Sequence, residues 1–257
     1  MCLLVLAFRQ LPDEPLLLAA NRDEFHARPA APAQFWHEAP RLLAGRDLVA
    51  GGTWLGVTRD GRFAAVTNHR EASHTVAPLT SRGHLVRDYL LGGTPAADFL
   101  RALHRHAGDY AGFNLLLGDA GQLWWYSNRG GPPQRLAPGV YGVSNALLDT
   151  PWPKLQAAKA AFGALCRTGT ANTPALLDLL QDRRPHPPHG EPPAGADAAL
   201  ARAASAIYID TPRYGTRCST VVRLRTDGRT EFVERWHGHG GGQAEFRFFS
   251  TAQGNDT

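Results

Sequence analysis

The residues best suited to chemistry sit near the head of the chain and at the ends of short apolar runs. Cys2 opens the run Leu3-Leu4-Val5-Leu6-Ala7-Phe8, and a second run, residues 16–20, leads into Asn21-Arg22-Asp23-Glu24. Removal of Met1 by an aminopeptidase would leave Cys2 with a thiol and a free α-amine on one residue. The amine titrates near ~7.7–8.0 and the thiol near ~8.5, so each can exchange a proton near neutral pH, as nucleophilic catalysis requires. Taken alone, Cys2 is equally a small apolar residue opening a strand. Asn68 and Asn145 end two further apolar runs. Their amides can donate to an oxyanion, although a single asparagine at such a point also serves as a turn residue. Arg22 and Asp23 by themselves make an ordinary ion pair. Together the set contains a nucleophile, charged groups to orient it and amide donors, which are the parts of an amide-hydrolysing site.

The elements that must position these groups read as hairpins. Residues 2–8 and 16–20 are neighbouring strands. Residues 51–57 and 63–68 flank the Asp60-Gly61 turn, and residues 112–119 and 123–127 form a second hairpin. Prolines 29, 32 and 40 mark residues 25–40 as a covering loop with no element of its own. Two helices are expected over residues 83–108, split at Gly92-Gly93-Thr94-Pro95 with Thr94 as N-cap. Residues 139–145 form a strand, a helix starts at Pro153, and a further helical piece covers residues 174–180. Residues 183–195, rich in proline, are expected to be an exposed, mobile loop. Strands return at 206–209, 218–224 and 231–236. Strands, helices, strands, helices, strands is not the alternation of a parallel α/β fold; it suits two packed antiparallel sheets covered by helices. The whole chain, 1–257, reads as one domain with a variable tail over 238–257.

The composition is that of a globular protein, with 43% hydrophobic and 19% charged residues. The net charge of +4 is spread without a basic block, so nucleic acid is not an expected partner. Only Lys154 and Lys159 are lysines. The dominance of arginine, with abundant alanine and proline, points to a GC-rich bacterial genome. Cys2, Cys166 and Cys218 are an odd, sparse set without metal-type spacing, which suits a reducing compartment; Cys166 reads as core. No secretory h-region or membrane span is apparent, and the expected location is cytoplasmic. His186 with His189 and His237 with His239 suggest adventitious metal binding at most, so no metal and no cofactor is expected.

These motifs resemble those of the NRDE proteins, relatives of the animal transport and Golgi organisation protein. The likeness rests on Met1-Cys2, Ala19-Ala20-Asn21-Arg22-Asp23-Glu24-Phe25 with Arg28-Pro29, and Gly51-Gly52-Thr53-Trp54-Leu55-Gly56. It continues through Ala65-Val66-Thr67-Asn68, Gly112-Phe113-Asn114-Leu115-Leu116, Gly142-Val143-Ser144-Asn145 and Tyr214-Gly215-Thr216-Arg217. It covers nearly the whole chain, leaving out the Pro-rich loop and the tail after about His237. The resemblance implies an α+β fold, a four-layer α-β-β-α sandwich of two antiparallel sheets, as in N-terminal nucleophile (Ntn) hydrolases. More distantly the chain is similar to the cysteine branch of that superfamily, the bile-salt hydrolases and penicillin V acylases.

By that likeness Cys2 attacks a non-peptide amide and carries the acyl group as a thioester, while its α-amine relays the proton to the leaving nitrogen. Arg22 then stabilises the thiolate, and Asp23, or Glu24 beside it, holds the α-ammonium. Asn68 and Asn145 position the oxyanion or substrate, and Arg217 adds a second charged group. Glu24, Trp54, His69 and Asn114 are the substrate-binding candidates. Cys218 stands where a hydroxyl residue is expected and has only a packing role. Members of the family are also associated with haem mobilisation and with lipid or acyl-coenzyme A homeostasis. The alternative is therefore a non-catalytic haem or acyl-lipid carrier on the same fold, with His26, His69 and His74 the histidines nearest in sequence to the site. Loops 25–46 and 68–82, carrying Phe35, Trp36, His69 and Arg70, are expected to line the cleft.

Overall fold

The structure is a computed structural model that describes residues 2–70, 80–187, 198–238 and 240–250. In chain order the first strands are β1 (Cys2–Leu11), β2 (Glu14–Phe25), β3 (Ala30–Trp36), β4 (Ala39–Asp47), β5 (Leu55–Thr58) and β6 (Phe63–Asn68). Helices α1 (Arg82–Leu91) and α2 (Ala96–His104) follow, then β7 (Phe113–Gly118), β8 (Leu123–Ser127), β9 (Gln134–Arg135) and β10 (Gly139–Val143). The last part holds α3 (Pro153–Arg167), α4 (Thr173–Leu179), α5 (Ala198–Ala203), β11 (Tyr214–Leu224), β12 (Arg229–Trp236) and β13 (Gly242–Phe249).

Two antiparallel sheets result. One has the order β10-β1-β2-β11-β12-β13, and the other runs β3 to β9 in sequence order. The alternation of side chains along β1 and β2 explains why both read as unbroken apolar runs. Leu4, Leu6, Phe8, Leu16 and Leu18 point between the sheets, while Leu3, Val5, Ala7, Leu17 and Ala19 face α3 and α4. A strand buried on both faces has no polar face to show. A third core packs α1 and α2 on the outer face of the other sheet through Leu85, Leu90, Leu100, Phe113 and Leu115. The result is four layers, α-β-β-α, with each fully buried large side chain contributing about 1.5–3 kcal/mol to the sandwich. Among the described residues no helix is long and apolar enough to cross a membrane.

Four expectations are corrected. Most of residues 25–40, expected as a covering loop, is strand: β3 and the start of β4. Pro32 is tolerated because β3 is the sheet's edge and its register shifts between Ala31 and Gln34. The N-cap of α2 is Pro95, not Thr94, whose carbonyl instead accepts from Arg62 Nη2 at 2.7 Å. Residues 206–209 form no strand; Ile207 and Ile209 instead lend backbone groups to the site described below. The tail contains β13, whose Phe246 and Phe248 meet Phe35 edge-on. The unpaired edge of β13 shows alternating polar and apolar residues, a pattern that the preceding glycines obscure in the sequence. Residues 188–195 of the Pro-rich loop, including His189, and also His74 and His239, lie outside the described residues.

Candidate functional site

The site forms where β1 begins, because the register sets Cys2 opposite Arg22 and Arg22 opposite Cys218 on its other side. Even-numbered positions at this end of β1 and β2 face the space between the sheets, so the Cys2 thiol and the Arg22 guanidinium share that side. Arg22 is only 7% exposed. Its Cζ lies 4.1 Å from the centroid of the Trp54 ring, and its Nη2 is 3.5 Å from Asp47 Oδ2. Asp47 in turn accepts from Arg28 Nε at 2.6 Å and from the N–H groups of Val49 and Ala50, each at 3.0 Å. Burial would raise the Asp47 carboxyl, but these donors hold it below the usual range. Cys2 and Cys218 lie two strands apart, roughly 10 Å between Cα atoms, too far for a disulfide.

Asp23 points to the opposite face, toward the helices. Thr216 Oγ1 donates to Asp23 Oδ1 at 2.7 Å. Burial raises the Asp23 carboxyl, and the strongest opposing pull comes from Lys154, a residue that the sequence reading did not single out. Burial likewise raises the Cys2 thiol, with Asp23 adding to the rise, while Arg22 and the Asp23 backbone N–H act in the other direction.

The predicted asparagines divide. Asn68 ends β6 and lines the cleft. Asn145 donates from Nδ2 to the Asn68 carbonyl at 2.9 Å, so its amide joins the two sheets. Asn114 Nδ2 donates to Thr67 Oγ1 at 3.2 Å and to the Ala146 carbonyl at 2.9 Å, and Thr67 Oγ1 donates to the Ser144 carbonyl at 2.7 Å. Ser144 Oγ completes the lattice by donating to the Cys2 carbonyl at 2.9 Å. These bonds pin the head of β1 to the other sheet.

A cleft of about 350 Å³ opens above, lined among others by Cys2, Arg22, Asp23, Glu24, Trp54 and Asn68. Glu24 Oε1 accepts from the Phe25 N–H at 2.9 Å. Arg217 does not line the cleft. It occupies the bulge between Thr216 and Cys218, and its Nη1 donates to the carbonyls of Phe25, His26 and Arg28 at 2.9–3.2 Å, clamping that turn. His69 Nδ1 meets the Arg70 carbonyl and His26 Nε2 the Thr211 carbonyl, both outside the cleft lining. Phe35 faces β13, and Trp36 is buried with Nε1 donating to the Ala44 carbonyl, so neither borders the cleft. A larger groove of about 610 Å³ runs over α3 and α4; small and aliphatic side chains line it with Thr168, Asp178, Asp182 and Arg184, and its lining contains no cysteine or histidine. Among the described residues no group of His, Cys, Asp and Glu is placed to hold a metal ion.

Gly52 shows why the Gly-Gly-Thr-Trp motif is needed. An added Cβ there would lie 2.5 Å from the Gly83 carbonyl carbon, where α1 begins. Thr53 N–H donates to the Gly83 carbonyl at 3.1 Å, fixing the loop that carries Trp54 onto Arg22. Gly52→Ala is expected to cost about 1–3 kcal/mol through this overpacking, read from urea unfolding midpoints.

Beneath the site, Asn21 Nδ2 donates to the carbonyls of Leu180 and Ile207, and Asn21 Oδ1 accepts from Ser219 Oγ at 2.7 Å. The Ser219 proton is thereby committed, so His237 Nε2, 3.0 Å away, must be the donor to Ser219. Burial, with Arg235 and Arg183, pushes His237 down to about 4. The unfolded chain therefore binds this proton before the folded one does. Stability should fall as pH drops from near 6.5 to 4, by about 1–2 kcal/mol because solvent screens this part-exposed ring, and His237→Gln should flatten that slope in denaturation at stepped pH.

Two facing antiparallel sheets between helical layers are the fold of the N-terminal nucleophile hydrolases, and here Cys2 heads an interior strand. The C2A mutant of conjugated bile acid hydrolase from Clostridium perfringens has this fold. Its structure superposes with a TM-score of 0.51, covering 98% of each chain at 8% identity. Residues 1–238 match the family model Transport and Golgi organisation 2, and the chain belongs to that family. The Transport and Golgi organization protein 2 homolog of Homo sapiens is 34% identical over 91% of this chain and 92% of its own. The Transport and Golgi organization protein 2 of Drosophila melanogaster is 27% identical over 85% of each chain.

Proposed function

We propose that the protein is an N-terminal cysteine amidohydrolase acting on a non-peptide amide. The observation that carries this reading is the placement of Cys2 at the head of a central strand, on the cleft, between buried Arg22 and buried Asp23. With Met1 removed, the Cys2 α-amine takes the thiol proton, and Arg22 favours the thiolate while Asp23 holds the ammonium. The sulfur attacks the amide carbon, a C–S bond forms, and the carbonyl π pair moves to oxygen. The amide of Asn68, at the cleft wall, is the donor for that oxyanion. Collapse breaks the C–N bond as the α-ammonium returns its proton to the leaving nitrogen, releasing an amine and leaving a thioester on Cys2. Water then adds at the same carbon, a C–O bond forms, the C–S bond breaks, and the acid departs with the thiol restored.

A haem or acyl-lipid carrier on this fold has less support. Among the described residues no histidine lines the cleft, so of these Cys2 is the group that would have to hold a haem iron there. The test is the intact mass of the protein expressed in bacteria, before and after iodoacetamide, with the labelled peptide mapped. Loss of Met1 and labelling of Cys2 ahead of Cys166 and Cys218 is expected. The contrast should be sharp for Cys218, which is buried and whose thiol burial lifts well above its usual range. Retained Met1 or an unlabelled Cys2 would overturn the proposal.

A further inference from the structure

Lys154 is one of two lysines in a chain whose other basic side chains are arginines, and it is only 3% exposed. A buried ammonium needs a countercharge and hydrogen bonds to persist. The fold places it with care. It is the second residue of α3, whose start sits on β10: the next residue, Leu155, would lie 2.7 Å from a Cβ at Gly142. Helix α3 packs on the face of β1 and β2 that carries Leu3, Val5 and Ala19, and two positions beyond Asn21 that face ends in Asp23. Lys154 Nζ donates to the Ala204 carbonyl at 2.9 Å. The segment that follows Ala204 reaches the same carboxylate, because the Ile209 N–H donates to Thr216 Oγ1, which itself donates to Asp23. The segment that bonds Lys154 at Ala204 thus reaches Asp23 through Ile209 and Thr216.

Resting on the nucleophile reading above, we propose that Lys154 is a positioning residue for Cys2: its buried Nζ, tied to the Ala204 carbonyl, is the helix-side charge partner of Asp23, which in turn holds the α-ammonium that receives the thiol proton. The charged and titratable groups that bear on Asp23 are Arg22 on its own strand, Cys2 on β1, Lys154 on α3 and Tyr208 after α5, with the Thr216 hydroxyl on β11. Arg22 lies on the opposite side of β2 and is engaged with Asp47 and Trp54. Lys154 is the cation on the helix side. Among the opposing influences on the Asp23 carboxyl it is the strongest; burial lowers Lys154 itself, and the charges of Asp23 and Cys2 oppose that fall. Burial raises the Asp23 carboxyl, and loss of Lys154 would remove the largest influence against that rise. A neutral Asp23 cannot stabilise an ammonium, and the thiolate–ammonium pair would be less populated at pH 7.

The experiment is the pH profile of Cys2 alkylation by iodoacetamide in the Met1-processed full chain, followed by peptide mapping, and it needs no substrate. Lys154→Met is expected to move the profile up by about one pH unit, a roughly tenfold slower reaction at pH 7. Asp23→Asn should do the same, and the double variant should show no further loss, because both changes remove one interaction. Lys154→Arg, which keeps the charge, should restore most of the rate. If Lys154→Met is too unstable to purify, the double variant serves in its place, since it buries no unpaired charge; its profile should match that of Asp23→Asn. Reactive Cys2 with an unshifted profile in Lys154→Met, or losses that add in the double variant, would overturn the role of Lys154 and leave the nucleophile standing. A Cys2 inert at every pH in the unmodified sequence would overturn both.

Discussion

Replacing Cys2 with alanine is expected to lower amide turnover by roughly 10⁴-fold or more while leaving the unfolding midpoint within a few degrees of the parent. The size follows from what the thiol does. Nucleophile and proton relay act as a unit, and removing the nucleophile of such a unit removes nearly all of the catalysis. The small effect on stability follows from position. Cys2 is the half-buried first residue of β1, and the bond from Ser144 Oγ goes to its carbonyl, which alanine keeps. No second thiol can stand in, because Cys218 lies on the far side of Arg22, fully buried. The measurement is release of primary amine from a panel of N-acyl compounds, with the acyl-thioester sought as a mass adduct on the unmodified protein. Equal turnover in Cys2→Ala would place the chemistry on another residue. Turnover absent in both proteins, with saturable binding of an acyl ligand in both, would favour a carrier.

Much of the fold was legible because β1, β2, β7, β8 and β11 are buried on both faces and announce themselves as apolar runs. The strands that escaped are β3, β4, β9 and β13, and two of them break this pattern for physical reasons. β3 carries Pro32 at an edge, where no ladder hydrogen bond is lost, and β13 follows a run of glycines with half its side chains in solvent. At the site, Cys2, Arg22 and Asp23 could be grouped from sequence because adjacent antiparallel strands joined by a short turn must bring their far ends together. What a linear reading could not supply was aim. An amide aimed at a ligand and one aimed at a backbone carbonyl are the same residue type in the same place. The structure spends Asn145 and Asn114 on carbonyls across the sheet junction and leaves Asn68 at the cleft. Arg217 was displaced by a bulge that no composition signal marks. Asp47 was missed because a single aspartate before a turn is ordinary. Lys154 did leave a trace: a lysine is unusual in a chain so dominated by arginine.

Arg223→Met is expected to destabilise the protein by about 3–5 kcal/mol, a fall of roughly 10 °C in Tm, without changing the reactivity of Cys2. Arg223 is buried at the opposite end of the sandwich, where its Nη1 bonds Glu14 Oε1 at 2.9 Å and Oε2 at 2.7 Å. Its Nη2 also bonds the Ala171 carbonyl just ahead of α4, and Glu231 stands 3.8 Å from its Nε. Deleting the guanidinium would leave Glu14, itself buried, with Arg225 at 3.0 Å as its one ion-pair partner among the described residues. Most of the loss is the cost of that stranded carboxylate, not the net strength of the pair. The double variant Glu14→Gln with Arg223→Met should therefore recover a large part of the stability, because a neutral pair needs no countercharge. Glu14 and Arg22 are eight residues apart on one strand, about 26 Å. A change at one end should therefore add to, and not couple with, changes at the other. Urea unfolding of the single and double variants measures the first effect, and the Cys2 alkylation rate at pH 7 measures the second. A slowed Cys2 in Arg223→Met would mean that the cleft is not held independently by its own lattice of Ser144, Thr67, Asn114 and Asn145, and that stability and reactivity in this sandwich are one property.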